Sequence, residues 1–401
     1  MKKIVASPVF WLVVLSLLPL TSLVQPGIIN AHDAPDHVAR IANFYQSLAE
    51  GNVVPRWAAH LNWGYGHPIL MFLYPLPSYI ASVFHFLGFS FVDSTKLVFA
   101  LSWVASALTM YIWMKCAFGK KAAIFGSLLY IFAPYRFVDF YVRGALGEHV
   151  AFIFPPLVLY FLFSVSKERW CNRRWIGSVI GATISLSALI LAHNAIAIMF
   201  LPIVMIYMAY LFWFEAKPKW PLIVAYFLTL FFCFGLTAFF WIPAYFEGKY
   251  TLRDIVTASE ALQRFVSWRW FVYSPWNYGG GDEITKSLGF VQWFGILGSF
   301  VILWKSNDRK IRIVLIGSLL ILIGSLFIMT SSSALIWKNF SLLQKFQFPW
   351  RFLSVSVFTA AIIGGVAIDR MLEKLKNRNI LFIIICGLIV LITVPQWHPK
   401  G

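Results

Sequence analysis

The feature that most restricts the fold of this chain is the recurrence of apolar segments about 20 residues long. A helix needs about 20 apolar residues to cross the hydrocarbon core of a bilayer, and the chain is 60% hydrophobic over 401 residues. In lipid, every backbone N–H and C=O group must be paired within the chain, which favours helices. The sequence therefore predicts an all-α integral membrane protein, organised as a single polytopic domain over residues 1–401.

The net charge of +17 raises the question of nucleic-acid binding. The basic residues lie between the apolar segments, and neither a basic run nor a nucleic-acid-binding motif is present. Positive charge on short cytoplasmic loops orients membrane helices, so we expect membrane lipids, and not nucleic acid, as partners. The four cysteines lack metal-ligand spacing, and the chain carries no phosphate-loop, dinucleotide-binding or hydrolase motif.

The apolar segments predict about eleven transmembrane helices, with the N-terminus inside and the C-terminus outside. Residues 69–88 are apolar, but Pro68, Pro75 and Pro77 break helix continuity. Treating them as short interfacial helices places at least two Lys or Arg residues on every cytoplasmic loop, as the charge rule requires. The predicted spans lie near 7–24 (an uncleaved first helix), 97–114, 121–134, 150–166, 176–192, 195–214, 220–243, 288–304, 311–330, 352–370 and 380–396.

This topology predicts a multi-pass membrane protein with its candidate chemistry on the outer face. The outer loops are 25–96, with interfacial helices, 135–149, 244–287 and 331–351. Ionisable residues are scarce in such a chain, so we treat their clusters on these loops as candidate functional sites.

The first outer loop carries a cluster around Asp33. Pro35 starts a helical pattern with apolar residues on one face, which predicts a helix lying in the interface, apolar side down. Asp33 has two compatible interpretations, because a carboxylate that caps this helix can also act as a base. The apolar face comprises Val38, Ile41, Phe44, Tyr45 and Leu48; the polar face comprises His37, Arg40 and Asn43, with Asp36 at its edge. Arg40 is a candidate for binding or an interfacial anchor.

The second outer loop places Glu148 and His149 directly before a span. Arg136 and Arg143 are seven residues apart, so a helix would bring both to one side. Asp139 and Glu148 form a carboxylate pair facing these arginines, which suits proton abstraction beside an anionic leaving group. Ordinary ion pairs on a solvated loop are the alternative.

Two further positions are candidates. His193 and Asn194 interrupt a long apolar run, where a tight outer turn would need no function. Arg351 follows Pro349 at the start of a helix, where the helix dipole favours an anion. Trp350 fits an aromatic residue of the membrane interface.

The order of these motifs resembles the GT-C glycosyltransferases, such as aminoarabinose transferases and protein O-mannosyltransferases. The matching pieces are Asp33, Tyr74-Pro75-Leu76-Pro77, Ala117-Phe118-Gly119-Lys120, Ala133-Pro134 and Glu148. More closely, three motifs resemble a bacterial membrane family labelled as related to 6-pyruvoyl-tetrahydropterin synthase, although no zinc motif of pterin enzymes is present. These motifs are Trp63-Gly64-Tyr65-Gly66-His67-Pro68, Arg143-Gly144-Ala145 and Phe348-Pro349-Trp350-Arg351.

The resemblance implies a transfer, with inversion, from a polyprenyl-phosphate-linked sugar donor to a glycan, lipid or protein acceptor. It also implies a bacterial inner membrane, with the reaction on its outer face. Asp33 and Glu148 would be the catalytic acids, and Arg143 and Arg351 would hold the lipid phosphate. The substrate-binding set is Asp36, His37, Arg40, Arg143, His149, His193 and Arg351, and a divalent metal is left open. The pattern departs from that of the superfamily, because His32-Asp33 replaces the usual pair of acids and Glu148 replaces aspartate.

Two other classes of function stay open. A transporter or flippase of lipid-linked glycans would carry ionisable residues inside its spans and broken helices in paired halves. The spans predicted here are almost free of charge. A non-catalytic envelope assembly protein is the other alternative.

Overall fold

The computed structural model describes residues 7–216, 218–251, 261–279, 283–373 and 375–400, and these are mostly helical. Among these described residues, the only β-type backbone pairing is an isolated antiparallel bridge between Ala58 and His67. The α-helices are α1 Pro8–Leu17, α2 Ala34–Ala49, α3 Ile69–Phe72, α4 Leu76–Phe86, α5 Phe91–Phe118, α6 Lys120–Ile131, α7 Pro134–Phe137, α8 Leu146–Ala151, α9 Phe154–Lys167, α10 Arg173–Ala192, α11 Asn194–Tyr210, α12 Trp220–Phe246, α13 Trp268–Val272, α14 Phe290–Lys305, α15 Arg309–Ile328, α16 Ala334–Asn339, α17 Ser341–Gln344, α18 Leu353–Leu372 and α19 Arg378–Leu391.

Eight helical stretches in the described part of the chain are long and apolar enough to cross a membrane. Lys120–Ile131 and Pro134–Arg143, which meet at a bend of 46°, add a ninth if they form one span. Pro8–Val24 and Phe290–Lys305 are apolar but shorter. All the predicted segments are therefore helical, but the number of eleven crossings is not confirmed.

The structure extends the helices around the second outer loop through ionisable residues that lie outside the predicted spans. The span-length helix that follows the second loop begins at Leu146, so Glu148 and His149 lie in its first turn and are fully buried. Arg136 and Asp139 are also fully buried, within the bent pair of helices. A span predicted from apolar residues ends at the first charged residue. A helix can continue through a charged residue when the rest of the protein buries it.

The proline-rich segment 69–88 forms two short helices, α3 and α4, of 4 and 11 residues. The chain between them is extended at Leu73 and is followed by Pro75. Proline lacks the N–H needed to continue a helix, which explains the break expected from the sequence.

Contacts divide the chain into two compact units. The first comprises Met1–Val24, Val104–Val142 and Ile255–Gly401, and the second comprises Gln25–Trp103 and Arg143–Asp254. The single domain expected from the sequence stays a prediction.

The core of the first unit is α18, which packs against α6, α14 and α15. Glycines allow these helices to approach closely. A Cβ added at Gly295 would lie 2.6 Å from the Cα of Gly364, and one added at Gly365 would lie 2.9 Å from the Cα of Gly126. Small residues permit such close packing between membrane helices.

In the second unit, α10 packs against α9 and α12, and α2 packs against α4. The buried side of α2 differs from the one that we expected. His37 and Asn43 are buried together with Ile41 and Phe44, so the polar face predicted for His37 and Asn43 is wrong. The helical period shows which residues share a side, but it does not show which side the neighbouring segments cover.

Candidate active site

Asp33 lies at the junction of the two loops that carry the predicted acids. Its backbone N–H donates a 2.8 Å hydrogen bond to the carbonyl oxygen of Arg143. Asp33 occupies the N-cap position of α2, but its side chain makes no capping hydrogen bond and is exposed. Its carboxylate is therefore not used to cap the helix, while its main chain is fixed.

Gly144 permits this junction. It has φ +63°, a left-handed conformation that residues with a side chain rarely adopt. A Cβ at this position would lie 3.0 Å from the backbone nitrogen of Ala34 and 3.1 Å from the Cβ of Ala31. The segment before α2 can lie against residue 144 only because that residue is glycine.

A buried ion pair lies next to this junction. The Nη2 of Arg143 donates a 2.7 Å hydrogen bond to the Oε1 of Glu148, and the two side chains are 7% and 1% exposed. A charge-assisted hydrogen bond of this length is strong, and removing one partner of a buried pair is costly. Arg143 thus joins Asp33 through its main chain and Glu148 through its side chain.

The segment before Arg143 is a π-helix, Val138–Arg143. Its hydrogen bonds span five residues, so the spacing of an α-helix does not apply. The expectation that a regular helix brings Arg136 and Arg143 to one side is therefore wrong. Arg136 instead donates a 3.1 Å hydrogen bond to the Oγ of Ser106.

His193 approaches the buried pair from the turn between α10 and α11. Its Nε2 lies 3.9 Å from the Oε1 of Glu148, and its Nδ1 accepts a 3.3 Å hydrogen bond from the N–H of Ile196. In a neutral ring the proton therefore lies on Nε2, facing the carboxylate. The turn at His193 and Asn194 thus caps α11 and also adds a buried imidazole beside Glu148.

Sequence reasoning missed Tyr74 as a site residue. Its ring lies 4.6 Å from the His193 ring, and a Cβ added at Gly147 would lie within 2 Å of the Tyr74 ring. Tyr74 therefore packs against both the imidazole and the residue before Glu148. The signal available in the sequence was an aromatic residue directly before Pro75, at the break between two short helices.

His37 lies one turn after Asp33 and is almost fully buried. Burial, together with the charges of Arg40 and Arg143, lowers its pKa to about 3. The ring is therefore neutral at pH 7. Arg40 forms a 3.3 Å ion pair with Asp36, whose side chain is 63% exposed.

The remaining predicted residues have different surroundings. His149 is buried, with its ring stacked on Trp103 at 5.3 Å and edge-on to Phe99 at 5.5 Å. Arg351 belongs to the first unit, where its Nη1 donates a 3.0 Å hydrogen bond to the carbonyl of Phe346. Within the described ranges, no group of three or more His, Cys, Asp or Glu side chains is arranged to hold a metal ion.

The sequence matches a family described as "6-pyruvoyl-tetrahydropterin synthase related domain; membrane protein" over residues 70–399, most of its length. The chain belongs to this family. Among the motifs of this PTPS-related membrane protein, Arg143-Gly144-Ala145 and Phe348–Arg351 lie inside the matched range, whereas Asp33 precedes it.

Comparison with other proteins establishes the fold of this PTPS-related protein. ArnT from Cupriavidus metallidurans, in a structure bound to undecaprenyl phosphate, has a TM-score of 0.54 and 17% identity, covering 94% of this chain and 64% of ArnT. The Archaeoglobus fulgidus oligosaccharyltransferase, in a complex with Zn and sulfate, has a TM-score of 0.57 and 14% identity, covering 98% and 53%. These likenesses show that the chain has the GT-C fold.

An uncharacterised protein of Lactococcus lactis subsp. cremoris (strain MG1363) is 25% identical over 226 residues. The match covers 53% of this chain and 36% of the lactococcal protein. The PTPS-related chain thus spans about a third of this relative and less than two thirds of the two solved structures.

Proposed function

We propose that this PTPS-related protein is an inverting membrane glycosyltransferase, which moves a sugar from a polyprenyl-phosphate donor to an acceptor on the outer face of a bacterial inner membrane. The observation that carries the proposal is the placement of Asp33. Its carboxylate is exposed and makes no capping bond, while its main chain is fixed to Arg143. A base must be accessible to the acceptor and held in position.

The fold supports the choice of donor. ArnT, which shares this fold, has been observed with undecaprenyl phosphate, and a polyprenyl-phosphate donor would carry the same kind of lipid. In the proposed reaction, Asp33 takes the proton from an acceptor hydroxyl or amine. The acceptor atom then attacks the anomeric carbon, and the lipid phosphate leaves with the bonding electron pair.

The other residues divide into two groups. We assign Arg351 to the lipid phosphate, whose charge grows as it leaves. Glu148 acts through Arg143 as a positioning residue, since it is fully buried and paired. Arg143 has five N–H donors in its guanidinium, so its bond to Glu148 is compatible with a second contact to phosphate.

A flippase of lipid-linked glycans is a second candidate. The observation that favours it is the burial of Arg136 and Asp139 within the bent pair of helices, because intramembrane ionisable residues often mark transport pathways. A flippase would form no glycosylated product, so the test of the enzyme also separates the two candidates.

The test is Asp33→Asn in purified protein supplied with radiolabelled polyprenyl-phosphate sugar and a membrane extract as the acceptor source. Asparagine retains the size and the capping ability of aspartate but cannot take a proton. We expect unchanged thermal stability and donor binding, with transfer reduced by about 10² or more. An Asp33→Asn variant as active as the wild type would remove the catalytic assignment, and a wild type that forms no product would favour the flippase.

Asp93→Asn is the matched control. It makes the same chemical change at an exposed carboxylate that lies near Lys96 and has no role in the proposed reaction. We expect transfer by this variant to stay within about threefold of the wild type, because a surface ion pair contributes little.

A further inference from the structure

The loop of residues 56–67 presents three aromatic side chains to the surroundings; we name it the aromatic loop. Trp63 is 93% exposed, Tyr65 is 84% exposed and Trp57 is 52% exposed. Large aromatic residues gain stability from burial, so a loop that keeps three of them exposed forgoes that gain. Such a patch indicates an interaction site.

The backbone holds these rings in an unusual conformation. Asn62 and Trp63 are left-handed, with φ of 54° and 56°, and Gly64 and Gly66 follow with φ of 88° and 81°. This region is sparsely populated by residues with a side chain. Two N–H groups maintain the turn, since those of Gly64 and Gly66 donate to the carbonyl of Leu61 at 3.3 Å and 3.0 Å.

The base of the aromatic loop is also fixed. Ala58 and His67 exchange two backbone hydrogen bonds, of 2.8 Å and 3.0 Å. The indole of Trp57 packs against Gly66. A Cβ added at Gly66 would lie only 2.3 Å from the Nε1 of Trp57. The Trp57 ring is thus packed closely against the turn, and the loop is organised without a ligand.

The aromatic loop is joined to the helix that Asp33 starts. The N–H of His60 donates a 2.9 Å hydrogen bond to the Oδ1 of Asn43 on α2, and Ala58 packs in a buried cluster with Phe44. Asn43 lies ten positions after Asp33, which corresponds to about 15 Å along the helix axis. The point at which the loop is attached to α2 is therefore farther from Asp33 than the length of one sugar unit.

We propose that the aromatic loop binds the saccharide chain of the acceptor, an inference that rests on the proposed function for its role in the reaction. A sugar ring has an apolar C–H face, which suits contact with an aromatic ring, and a rim of hydroxyls. Arg56, His60 and His67 are exposed on the same loop and carry groups that can bond such hydroxyls.

A membrane anchor is the competing explanation for exposed aromatic residues. The composition and the backbone of the loop favour the saccharide. Arg56, His60 and His67 make the loop polar between its rings, and the left-handed turn fixes the backbone that carries Trp63. Anchoring in the interface also requires no fixed ring orientation, whereas stacking on a sugar does.

The test measures the binding of soluble linear tetrasaccharides of glucose, mannose, galactose or N-acetylglucosamine to the full chain in nanodiscs by calorimetry. We expect at least one to bind, and Trp63→Gly and Tyr65→Ala each to weaken that binding by about tenfold or more. Trp63→Gly should leave the thermal midpoint unchanged or raised, because glycine adopts the left-handed conformation without penalty. Trp304→Ala is the matched control, since Trp304 is 85% exposed on α14, and it should bind as the wild type does.

Either of two binding results would overturn the proposal: none of the four tetrasaccharides binds the wild type, or Trp63→Gly binds as tightly. A third overturning result comes from fluorine NMR of protein labelled with 5-fluorotryptophan. The resonance of Trp63 is identified by its absence from the spectrum of Trp63→Gly. We expect a soluble gadolinium chelate to relax this resonance in the wild type. Relaxation by doxyl-labelled lipid instead would identify a membrane anchor and overturn the proposal.

The test of saccharide binding by the aromatic loop can be distinguished from the test of sugar transfer. Asp33→Asn should lose transfer and retain tetrasaccharide binding, whereas Trp63→Gly should lose the binding. Binding without any transfer by the wild type would reject the enzyme and leave the saccharide site standing.

Discussion

The main chain of Asp33 donates to the carbonyl of Arg143 at 2.8 Å, while the side chain of Arg143 pairs with Glu148 at 2.7 Å. Arg143 therefore connects Asp33, whose carboxylate is exposed, to the buried Glu148. It contacts the first through its main chain and the second through its side chain. Because main-chain and side-chain links respond to different substitutions, their contributions can be measured separately.

Gly144→Ala should disturb the main-chain link. The new Cβ would meet Ala34 at 3.0 Å in a backbone conformation unfavourable to alanine, so we expect a loss of about 1–3 kcal/mol of stability and a large loss of transfer. Gly177→Ala is the control, because a Cβ there meets nothing within 4 Å. Thermal midpoints and transfer rates of the two variants provide the comparison, and equal behaviour would contradict the role of Gly144.

Glu148→Ala should disturb the side-chain link. It leaves the Arg143 charge buried without the carboxylate, which we expect to cost about 3–5 kcal/mol in the free energy of unfolding. The exposed pair of Asp36 and Arg40 is the contrast, and Asp36→Ala should cost less than about 1 kcal/mol. Denaturation in mixed micelles measures both, and a cost for Glu148→Ala as small as that for Asp36→Ala would show that the buried pair contributes little to stability.

His37 makes stability depend on pH. Its pKa is about 3 in the folded protein and about 6.5 in an unfolded chain, so the unfolded state binds the extra proton between these values. Stability should be complete above about pH 6.5 and fall as the pH decreases towards 3, by up to about 1.4 kcal/mol per pH unit. His37→Gln should reduce this slope between pH 4.5 and 6.5, and the exposed His60→Gln should retain it. Equal slopes in both variants would rule out His37 as the source.

Arg351→Ala should weaken the binding of polyprenyl phosphate by about tenfold or more, because a hydrogen bond to a charged group contributes about 1.5–3 kcal/mol. Arg351→Lys should restore binding only in part, since lysine lacks the planar fork of donors. Lys338→Ala removes one positive charge at an exposed position of the first unit and controls for net charge. If Arg351→Ala and Lys338→Ala bind the lipid equally, Arg351 has no specific phosphate role.

The orientation can be tested with single cysteines in a variant without the native ones. Cysteines at Ser90 and Ser306 should react with an impermeant maleimide from opposite sides of the membrane, Ser90 from outside. This follows from the short helices α3 and α4 and from the basic residues around Ser306. Labelling of Ser90 from the cytoplasm alone would reverse the placement of the proposed site.

Local chemistry explains what the sequence predicted well. Apolar length predicts helices because lipid requires paired backbone groups, and Pro75 predicts the break between α3 and α4 because proline lacks an N–H. Both effects act within a few residues. The helical segments and the GT-C fold were therefore accessible from the sequence and its motifs.

Contacts between distant segments explain what the sequence did not predict. The bond between Asp33 and Arg143 uses backbone atoms, which leave no signature in residue type. His37 is buried, although it was assigned to a polar face, because burial depends on neighbouring segments and not on the period of the helix. Tyr74 was missed for a related reason, since its contact with His193 depends on how the chain turns after α3.

Arg136 and Asp139, fully buried in the bent pair of helices, bear on how the ribosome-bound chain enters the membrane. On the scale of translocon-mediated insertion, Arg and Asp at a helix centre each cost about 2.5–3.5 kcal/mol. A nascent segment with both residues partitions poorly into lipid alone. The hydrogen-bond partner of Arg136, Ser106 on α5, is synthesised before it. We therefore expect the segment to leave the translocon together with α5, so that insertion and tertiary folding become a single event.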